Sequence, residues 1–411
     1  MKLLVIADDF TGAMDTGVQF SKNGIATLVS TRTELNLDQI QQNIQVLVVD
    51  TESRHLKPDK AYEIVYDLTN RAREYGIQHV YKKTDSTLRG NIGAELKAVM
   101  DAWDGMPVMY VPAYPKTGRT TFHSKQFVDG IPLHETIYSK DLLNPIKTCC
   151  ISEIILKQAD VKTVAATIGG KLTVNLEDKD TVYIFDGQVE EDLTNTGNIL
   201  KARNKLSITA GCAGFAERLS NLIDFEGKSG VEQIKSENIL VVCGSINEAS
   251  MHQIRFGEKH GFESILLTSE QKSNKGYWET FKGKALTEEV VRKIAANGKV
   301  IIKTVSDVDE IDVVTSSQKI ADSIGELTNQ ILSYGIACTL VVFGGDTAIH
   351  VMDAIECSGL KPLEEIVPGV AVSKAVCKYG EMTLISKAGG FGEKDVLLKI
   401  QNYLKGKVDP C

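Results

Sequence analysis

The residues from Lys82 to Arg89 put two lysines, an aspartate, three hydroxyl side chains and an arginine into one short stretch of the chain. The cations attract anions, the hydroxyls donate and accept hydrogen bonds, and Asp85 can accept a proton or hold a metal ion. This combination suits a small ligand that is anionic and rich in hydroxyl groups. The alternative is a charged surface turn in which Ser86 or Thr87 only caps a helix.

The flanking sequence predicts that this stretch is a loop between a strand and a helix. A short apolar signal at residues 79–81 precedes it, and residues 94–100 carry apolar side chains at helical spacing. In an open parallel sheet, loops of this kind line the crevice at the carboxyl ends of the strands, where ligands bind. The stretch therefore falls where a ligand site is expected.

Three other predicted strands in the first half also end in polar side chains. They are residues 3–7 before Asp8 and Asp9, residues 46–50 before Arg54, and residues 107–111 before Arg119. The convergence of several such strand ends is harder to assign to chance than any one of them, because the carboxyl ends of parallel strands share one edge of a sheet. Taken singly, Asp8 and Asp9 could cap a helix, and Arg119 could bind a ligand carboxylate or pair with a structural aspartate.

Glycine-rich loops follow three predicted strands in the second half of the chain. The loops are Gly244-Ser245-Ile246-Asn247, Gly344-Gly345-Asp346-Thr347 and Gly389-Gly390-Phe391-Gly392. Glycine lets the backbone approach a phosphate closely and a helix N-terminus supplies N–H donors, while Asp346 could reach a metal ion that bridges phosphate oxygens. A tight turn with an Asp or Thr cap is the alternative for a single loop. Three such loops in one domain favour a nucleotide as the ligand.

Two familiar nucleotide fingerprints are missing from the sequence. A dinucleotide fold needs three glycines in its first turn, where this chain has only Gly12 and the later Gly17, and the P-loop pattern GxxxxGK[ST] occurs nowhere. The first absence argues against a hydride-transfer enzyme. The second means that the glycine loops are not a P-loop.

The polar, glycine-interrupted segment 224–237 predicts a domain boundary. We therefore expect an α/β protein of two domains, 1–230 and 238–411, each with a mostly parallel sheet flanked by helices. Within the first domain, residues 126–133 predict a β-hairpin around Asp129-Gly130.

The composition limits the kinds of protein that this chain can be. Its 411 residues are 43% hydrophobic and 24% charged, which is typical of a globular protein, and its net charge of -8 argues against a nucleic-acid-binding surface. No apolar stretch approaches the length of a membrane span, and the N-terminal apolar run is too short for a signal peptide, so we expect a cytoplasmic protein. The eight cysteines include no CxxC pair and predict reduced thiols rather than a zinc site or disulfides.

The motifs together resemble the four-carbon acid sugar kinase family. They are Ile6-Ala-Asp-Asp-Phe-Thr-Gly-Ala13, Lys82-Lys-Thr-Asp-Ser-Thr-Leu-Arg-Gly-Asn-Ile-Gly93, Gly118-Arg119, Gly344-Gly-Asp-Thr347 and Gly389-Gly-Phe-Gly392, in the family's order over nearly the whole chain. The resemblance implies an N-terminal domain that binds a tetronate-type sugar acid and a C-terminal domain that binds ATP. It also implies an active site in the interdomain cleft, where the phosphoryl group passes to the terminal hydroxyl.

The stretch from Asp85 to Gly90 also separates branches of the family. Arg89 after Leu88 resembles the D-threonate and D-erythronate 4-kinases more than the 3-oxo-tetronate kinases, which tend to lack that arginine. The main prediction is therefore an ATP-dependent 4-kinase of D-threonate or D-erythronate, with a 3-oxo-tetronate 4-kinase as the alternative. A sugar-acid oxidoreductase and a non-catalytic sugar-acid-binding regulator are further alternatives. One departure from the family pattern is His123, where relatives often carry a glycine.

The residues and the resemblance together predict both binding sites. The predicted substrate-binding residues are Asp8, Asp9, Arg54, Lys82, Lys83, Thr84, Asp85, Ser86, Thr87, Arg89 and Arg119, and the cations among them that could hold the substrate carboxylate are Arg54, Lys83 and Arg89. The predicted ATP-binding residues are Ser245, Gly344, Gly345, Asp346, Thr347, Gly389, Gly390 and Gly392, with Asp346 as the ligand of Mg²⁺. No nucleic acid or membrane partner is expected, and the choice between a monomer and a homodimer stays open.

The general base is predicted to be Asp9 or Asp85. Lys83 and Arg89 would lower the pKa of Asp85 and weaken it as a base. The like charge of Asp8 would instead make Asp9 the better proton acceptor. We therefore favour Asp9 as the base and give Asp85 the role of orienting the substrate hydroxyls.

Overall fold

The structure, a computed structural model, describes residues 1–141, 143–168, 171–227, 234–274, 276–305 and 317–406. The chain divides into two compact units, Met1–Ser229 and Gly230–Cys411. Residues 228–233, which belong to the segment predicted as the domain boundary, lie outside the described residues. None of the helices in the described ranges combines the length and the apolarity needed to cross a bilayer.

The first unit alternates strands and helices along most of its length. Its strands are β1 (Leu3–Ala7), β2 (Thr27–Ser30), β3 (Val46–Asp50), β4 (His79–Lys83), β5 (Val108–Val111), β6 (Arg119–Phe122), β7 (Lys125–Val128), β8 (Ile131–Pro132), β9 (Lys162–Ala165), β10 (Thr167–Ile168), β11 (Lys171–Leu172), β12 (Thr181–Ile184) and β13 (Ile208–Gly211). Its helices are α1 (Phe10–Ser21), α2 (Pro58–Glu74), α3 (Ile92–Ala102), α4 (Ile151–Leu156), α5 (Glu190–Ala202) and α6 (Ala213–Leu222). Short 3₁₀ helices occupy Leu37–Gln39, Pro115–Thr117, Leu133–Glu135 and Ile137–Lys140.

A parallel sheet forms the centre of the first unit, with its strands in the order β2-β3-β1-β4-β13-β5-β12-β9. Strand β1 lies between β3 and β4, and Ala7 at its end pairs with Asp50 and Lys83. Every residue of β1, β3 and β5 is buried, as expected for parallel strands that are covered on both faces. The predicted parallel sheet of this domain is confirmed.

Strands β6, β7 and β8 form a separate antiparallel sheet with two tight turns. The β7–β8 turn is Asp129-Gly130, with φ values of 50° and 79°, so the predicted hairpin is confirmed. The β6–β7 turn consists of His123 and Ser124, with φ values of 49° and 54°. These left-handed angles favour glycine, so His123 and Ser124 hold strained backbone conformations.

The second unit has the same alternation of strands and helices, followed by a hairpin region. Its strands are β14 (Ile239–Cys243), β15 (Glu263–Leu266), β16 (Lys299–Lys303), β17 (Thr339–Phe343), β18 (Gly359–Val367), β19 (Val370–Cys377) and β20 (Gly380–Lys387). Its helices are α7 (Glu248–Lys259), α8 (Ser269–Ser273), α9 (Phe281–Asn297), α10 (Ser317–Ser333), α11 (Gly345–Ala354) and α12 (Val396–Leu404), with a 3₁₀ helix at Tyr277–Glu279.

The sheet of the second unit has the strand order β15-β16-β14-β17-β20-β19-β18. In this order, β15, β16, β14, β17 and β20 pair in parallel, which confirms the predicted mostly parallel sheet. Strands β18, β19 and β20 pair antiparallel, an addition that the sequence analysis did not find. The apolar core on this sheet includes Val241, Phe343, Ile385, Leu397 and Ile400. The apolar core therefore fixes the positions of β14, β17 and β20 and of the loops that follow them.

Candidate functional site

Arg54 holds the two aspartates that follow β1. Its Nε and Nη2 donate to the two carboxylate oxygens of Asp8 at 2.7 and 3.0 Å, and its Nη1 donates to Asp9 Oδ2 at 2.5 Å. The strand order explains these contacts, because the residues after β1 meet the loop that follows its neighbour β3. Asp8 and Arg54 are buried, whereas the Asp9 side chain keeps 23% of its surface exposed.

Arg89 makes a second bidentate ion pair, with Asp85 of its own loop. Its Nε and Nη2 donate to the Asp85 carboxylate at 2.8 and 3.2 Å, and its Nη1 donates to Asp141 at 3.3 Å. The Thr87 hydroxyl also donates to Asp85. Arg54 Nη2 lies 3.7 Å from Asp85 Oδ1, so both guanidinium groups act on this carboxylate.

Burial and ion pairing oppose each other in setting the pKa of Asp85. Burial alone would raise that pKa, but Arg54 and Arg89 outweigh it and hold the pKa well below its usual range. The lowered pKa of Asp85 agrees with the prediction in direction and in the part played by Arg89. Its other main cause is Arg54 rather than Lys83, the cation that was predicted.

Asp8 is also ionised more readily than a free aspartate. Burial would raise its pKa, yet Arg54 and then Lys82 lower it below the usual value. Arg54 bonds both Asp8 and Asp9, so one guanidinium group joins the two carboxylates. The choice of Asp9 as the general base stays a prediction.

The adjacent lysines at the end of β4 differ in their surroundings, since side chains alternate along a strand. The Lys82 ammonium is fully buried, lies 2.9 Å from Glu95 Oε2 and donates to the carbonyls of Ile6 and Lys83 at 3.2 and 2.7 Å. The Ser53 hydroxyl binds the other oxygen of Glu95. These contacts give Lys82 a structural role, and its contact with the substrate stays a prediction without geometric support.

Gly12 makes room for the Lys83 ammonium at the start of α1. A Cβ atom on Gly12 would lie 2.6 Å from Lys83 Nζ and 2.7 Å from Asp9 Oδ1, so a side chain there would displace both groups. Asp9 caps α1 by accepting from the Gly12 N–H at 2.9 Å. Lys83 is 5% exposed and forms no ion pair with any residue that the structure describes. Its charge is therefore available to an anionic ligand.

Arg119, at the start of β6, likewise has no carboxylate partner in the described part of the chain. Its Nη2 donates to the Tyr138 hydroxyl at 3.2 Å, its Nη1 donates to the Thr117 carbonyl, and its Nε is buried without a partner. The guanidinium carbon of Arg89 lies 5.5 Å from the centre of the Tyr138 ring. Tyr138, which the sequence analysis missed, thus contacts both arginines.

The hydroxyl groups of the Lys82–Arg89 loop are not equivalent. Thr84 is buried, and its hydroxyl lies 3.2 Å from that of Tyr110. The Thr87 hydroxyl is engaged by Asp85. The half-buried Ser86 hydroxyl has no hydrogen-bond partner among the described residues, although the Ser86 carbonyl accepts from Gln126 at 3.1 Å. Ser86 is therefore the hydroxyl of this loop that is best placed to contact a ligand.

The three glycine loops of the second unit follow the neighbouring parallel strands β14, β17 and β20. A Cβ atom on Gly344 would lie 3.6 Å from Ser245 Cβ, and one on Gly389 would lie 3.4 Å from Ser245 Oγ. Ser245 thus lies against both of the other loops. The structure brings all three loops together at one edge of the sheet.

Helix α11 begins inside the second of these loops. Gly344, with φ of 102°, precedes it without a side-chain cap, and the helix starts at Gly345. The first N–H groups of a helix have no partner within the helix and lie at the positive end of its dipole. An uncapped start of this kind is suited to bind a phosphate group. Thr347 is buried, and its hydroxyl packs against Gly244 of the first loop.

Asp346 is exposed in the first turn of α11. No group of three or more His, Cys, Asp or Glu residues that could hold a metal ion occurs in the described ranges. Magnesium is commonly bound by one or two carboxylates together with substrate phosphates and water. A single carboxylate beside a phosphate-type loop therefore fits a magnesium ion that arrives with a nucleotide.

Three residues that hold the third loop from inside were missed by the sequence analysis. They are Lys387 at the end of β20, and Ser250 and Gln253 on α7, all of which are buried and donate to carbonyl groups of residues 389–393. A lysine as the last residue of a buried strand was the available signal. The polar residues on α7 gave none, because helical spacing does not indicate which loop they face.

Two family models match the chain, one for each unit. The first, described as a sugar-binding N-terminal domain, matches residues 3–219, and the second, described as a nucleotide-binding C-terminal domain, matches residues 240–397. A D-threonate kinase of Salmonella typhimurium is 28% identical over 98% of this chain and 99% of that protein. A D-erythronate kinase of Heliobacterium modesticaldum is 24% identical over 99% of this chain and 98% of that protein. A 3-oxo-tetronate kinase of Methylobacterium radiotolerans is 24% identical over 95% and 96% of the two chains.

Solved structures share the fold. A Salmonella typhimurium protein superposes with a TM-score of 0.79 at 20% identity, over 97% of this chain and 98% of that one. A Haemophilus influenzae protein gives a TM-score of 0.74 at 21% identity, over 98% of this chain and all of that one, 100%. At these identities the likeness concerns the fold alone.

Proposed function

The chain belongs to the four-carbon acid sugar kinase family, and from this premise we propose that it transfers the γ-phosphoryl group of ATP to the terminal hydroxyl of a four-carbon sugar acid. D-threonate and D-erythronate are the substrates that we favour, because a D-threonate kinase and a D-erythronate kinase are similar to this chain over 98% and 99% of its length. A 3-oxo-tetronate substrate is the second candidate, since 3-oxo-tetronate kinases are also similar over nearly the full length. Such an enzyme would use the ATP of the cytoplasm.

The observation that carries the proposal is the convergence of the three glycine loops on neighbouring strand ends of the second unit. Ser245 lies against Gly344 and Gly389, and the uncapped start of α11 adds free N–H donors beside them. Backbone donors grouped in this way bind phosphate through fixed partial charges. We assign Gly345, Asp346, Thr347, Gly390 and Gly392 to the same site. The interdomain position of the active site stays a prediction.

In the first unit we assign the substrate carboxylate to Lys83 and Arg119. The other two predicted cations, Arg54 and Arg89, are already bound in bidentate fashion by aspartates, so binding a further carboxylate would require them to share their charge. Arg54 and Arg89 then act by fixing the aspartates. Ser86, whose hydroxyl is not engaged within the described chain, is the contact that we propose for a substrate hydroxyl.

The transfer forms a bond between the substrate oxygen and the γ-phosphorus and breaks the bond from that phosphorus to the oxygen that leaves with ADP. The hydroxyl proton is lost late in a loose transition state, so a carboxylate can accept it. We propose Asp9 as this acceptor, because its side chain is more exposed than that of Asp85, 23% against 10%. Asp85 is held by two guanidinium groups and has a pKa well below the usual range, which suits it to orienting hydroxyls.

Asp346 is the residue that we assign to Mg²⁺. Its carboxylate is exposed at the start of α11, next to the proposed phosphate loop. When bound, Mg²⁺ neutralises the negative charge of the transferring phosphate. Positioning and charge neutralisation supply most of the rate in such reactions, so the chain needs few groups that react chemically.

The test is a panel of acceptors assayed for ATP-dependent ADP release, followed by location of the new phosphate by NMR. The acceptors are D-threonate, D-erythronate, their L forms, 3-oxo-tetronate, and the neutral polyols threitol and erythritol. We expect a four-carbon acid phosphorylated at its terminal oxygen, with kcat/KM at least about 30-fold above the polyol, the lower bound for losing a desolvated charge contact.

Each outcome of the panel decides a separate part of the proposal. No ADP release with any four-carbon acid would overturn the kinase function. Equal rates for acid and polyol would overturn the assignment of Lys83 and Arg119 to a carboxylate. A preference for 3-oxo-tetronate would replace the favoured substrates with the second candidate.

A further inference from the structure

Lys387 is a buried cation without a buried counter-ion in the described part of the chain. It is the last residue of β20 and only 1% exposed. Its ammonium donates to the Gly389 carbonyl at 2.7 Å and to the Ser250 hydroxyl at 3.1 Å, and it lies 4.9 Å from the centre of the Phe343 ring. These partners are neutral. Because buried charges are normally paired, the Lys387 charge needs a compensating group from outside the chain.

The same ammonium belongs to a set of donors that pull one loop inward. Ser250 on α7 donates to the Gly389 carbonyl at 2.8 Å, and Gln253, one turn later, donates to the carbonyls of Phe391 and Gly392 at 3.0 and 2.7 Å. We call Lys387, Ser250 and Gln253 the carbonyl clamp. It fixes the loop by its carbonyl oxygens alone.

The carbonyl clamp determines where the N–H groups of the loop point. The peptide unit is planar and trans, so its C=O and N–H groups point in opposite directions. With the Gly389 carbonyl held inside, the Gly390 N–H faces away from Lys387. The N–H groups of Gly389, Gly390 and Gly392 have no acceptor among the described residues. Such a row of free donors is an anion-binding arrangement.

We propose that Lys387 is the positioning residue for the nucleotide phosphates: its ammonium holds the loop in the phosphate-binding conformation, and the phosphates compensate its charge. This inference rests on the proposed function. The inference extends the proposed nucleotide site to a residue outside the glycine loops. It also predicts a pH dependence of nucleotide binding that the loops alone would not cause. Binding of a nucleotide should be coupled to protonation of Lys387, since an anion nearby favours the charged form of a lysine.

The surroundings of Lys387 allow this coupling near neutral pH. Burial lowers its pKa to about 8, and the Cys243 thiol on β14 offsets only part of that effect. Burial raises the pKa of the thiol itself to about 11, and Lys303, which also acts on the thiol, is paired with Glu258 at 2.5 Å. The residues that α7 and β17 present to Lys387 are Ser250 and Phe343, which do not titrate. Lys387 is therefore the group that should take up a proton.

The experiment is titration calorimetry of the full chain with ADP at about pH 8.5 in buffers of different ionisation enthalpy, which counts the protons bound with the ligand. Lys387→Met should weaken ADP binding about tenfold or more and abolish proton uptake. Lys387→Arg keeps a permanent charge, so it should retain more affinity than the methionine variant but show no uptake. Ser250→Ala removes a neutral member of the carbonyl clamp and should keep the uptake.

Three results would count against the inference. ADP affinity of Lys387→Met equal to that of the wild type would overturn it, provided that circular dichroism shows a folded variant. Unchanged proton uptake in both Lys387 variants would also overturn it. If the wild-type chain does not bind ADP at all, the proposed function fails together with the inference. If the wild-type chain binds ADP and only the results for the variants disagree, the inference alone fails.

Discussion

The two units build their candidate sites from different materials. In the first unit, charged side chains pair with each other: Arg54 with Asp8 and Asp9, Arg89 with Asp85, and Lys82 with Glu95. In the second unit, the site consists of backbone at glycine loops, and the buried charge beneath it, Lys387, has only neutral partners in the described chain.

The difference fits the ligands that we propose for the two sites. A sugar acid presents hydroxyls at fixed angles, and side chains locked in ion pairs hold carboxylates in fixed positions for them. A phosphate group has several oxygen atoms, and many N–H donors can bind it at once, so a backbone loop is sufficient. In the site of the first unit, most charged side chains neutralise one another. In the site of the second unit, the ligand can supply the negative charge.

Both sites nevertheless contain a buried lysine at the end of a strand. Lys83 ends β4 and Lys387 ends β20, and both are buried without a carboxylate partner among the residues that the structure describes. Each ammonium lies beside a glycine, Gly12 in the first unit and Gly389 in the second. We infer that each unit keeps one buried ammonium without a direct ion pair for the anionic part of its ligand.

The largest effect is expected from Asp9→Asn, which tests whether the ion-paired site also performs the chemistry. Asparagine can still cap α1, so the helix should keep its start. Loss of the proton acceptor should lower kcat by about 10²–10⁴-fold, equivalent to about 3–5 kcal/mol, with a much smaller change in KM for the sugar acid. Steady-state kinetics measures both constants. A change mainly in KM would move Asp9 to a binding role.

Lys82→Met and Lys83→Met separate the paired lysine from the unpaired one. Lys82→Met leaves Glu95 buried without its ion-pair partner and should lower the free energy of unfolding by about 3–5 kcal/mol. Lys83→Met breaks no ion pair and should change stability by about 1 kcal/mol or less while raising KM for the acid. Urea unfolding of both variants gives the comparison. Equal losses of stability would show that Lys83 is also a structural cation.

The double variant Lys82→Met with Glu95→Leu is the control for this pair. Removing both buried charges should recover most of the stability, because apolar groups can replace a buried ion pair at little cost. Failure to recover it would mean that packing around Lys82, rather than its charge, dominates.

Lys387→Met should affect stability in a pH-dependent way. Burial lowers the pKa of Lys387 from 10.5 to about 8, which corresponds to roughly 3 kcal/mol of destabilisation when both the folded and unfolded states carry the proton. That cost is complete below pH 8 and disappears as pH rises from about 8 to 10.5, where the unfolded chain still binds the proton and the folded protein does not. The advantage of the variant over the wild type should therefore be greatest near neutral pH.

The measurement for this prediction is the difference in free energy of unfolding between Lys387→Met and the wild type at about pH 7 and about pH 10. The two differences should themselves differ by roughly 2.5 kcal/mol, since part of the cost remains at pH 10. The same difference at both values would mean that Lys387 is not the group that titrates. Methionine also loses two hydrogen bonds, but that loss should change little with pH.

The sequence was most informative where the backbone forms the candidate site. Glycine after a buried strand has few explanations, so the loops at Gly344 and Gly389 were found without a structure, and so was the turn at Asp129-Gly130. Alternating strands and helices likewise indicated a mostly parallel sheet in each domain. The antiparallel strands β18 and β19 were missed, because most other strands were recognised by the polar or glycine-rich loop that follows them.

The pairing of side chains could not be read from the sequence. Arg54 contacts Asp8 because β1 lies between β3 and β4, and strand order is a long-range property. The sequence therefore suggested Arg54 and Arg89 as free cations for the substrate, whereas both are engaged by aspartates. Lys387 was overlooked for a related reason, since its place at the end of a strand does not show which groups its ammonium contacts.

The smallest expected effect concerns the turn between β6 and β7. His123 has φ of 49°, its N–H donates to Asp186 at 2.7 Å, and its ring lies 4.1 Å from that of Phe122. His123→Gly should relieve roughly 1–2 kcal/mol of left-handed strain, offset by about 0.5–1 kcal/mol of added freedom in the unfolded chain and by loss of the ring contact. The net gain in the free energy of unfolding should be below about 1 kcal/mol.

His123→Val provides the matched control, because a β-branched residue is strained at a positive φ. It should be less stable than the wild type, and the order of stability glycine, histidine, valine is the expected result of urea unfolding. A glycine variant less stable than the wild type would show that the ring contact with Phe122 and the added freedom of the unfolded chain outweigh backbone strain.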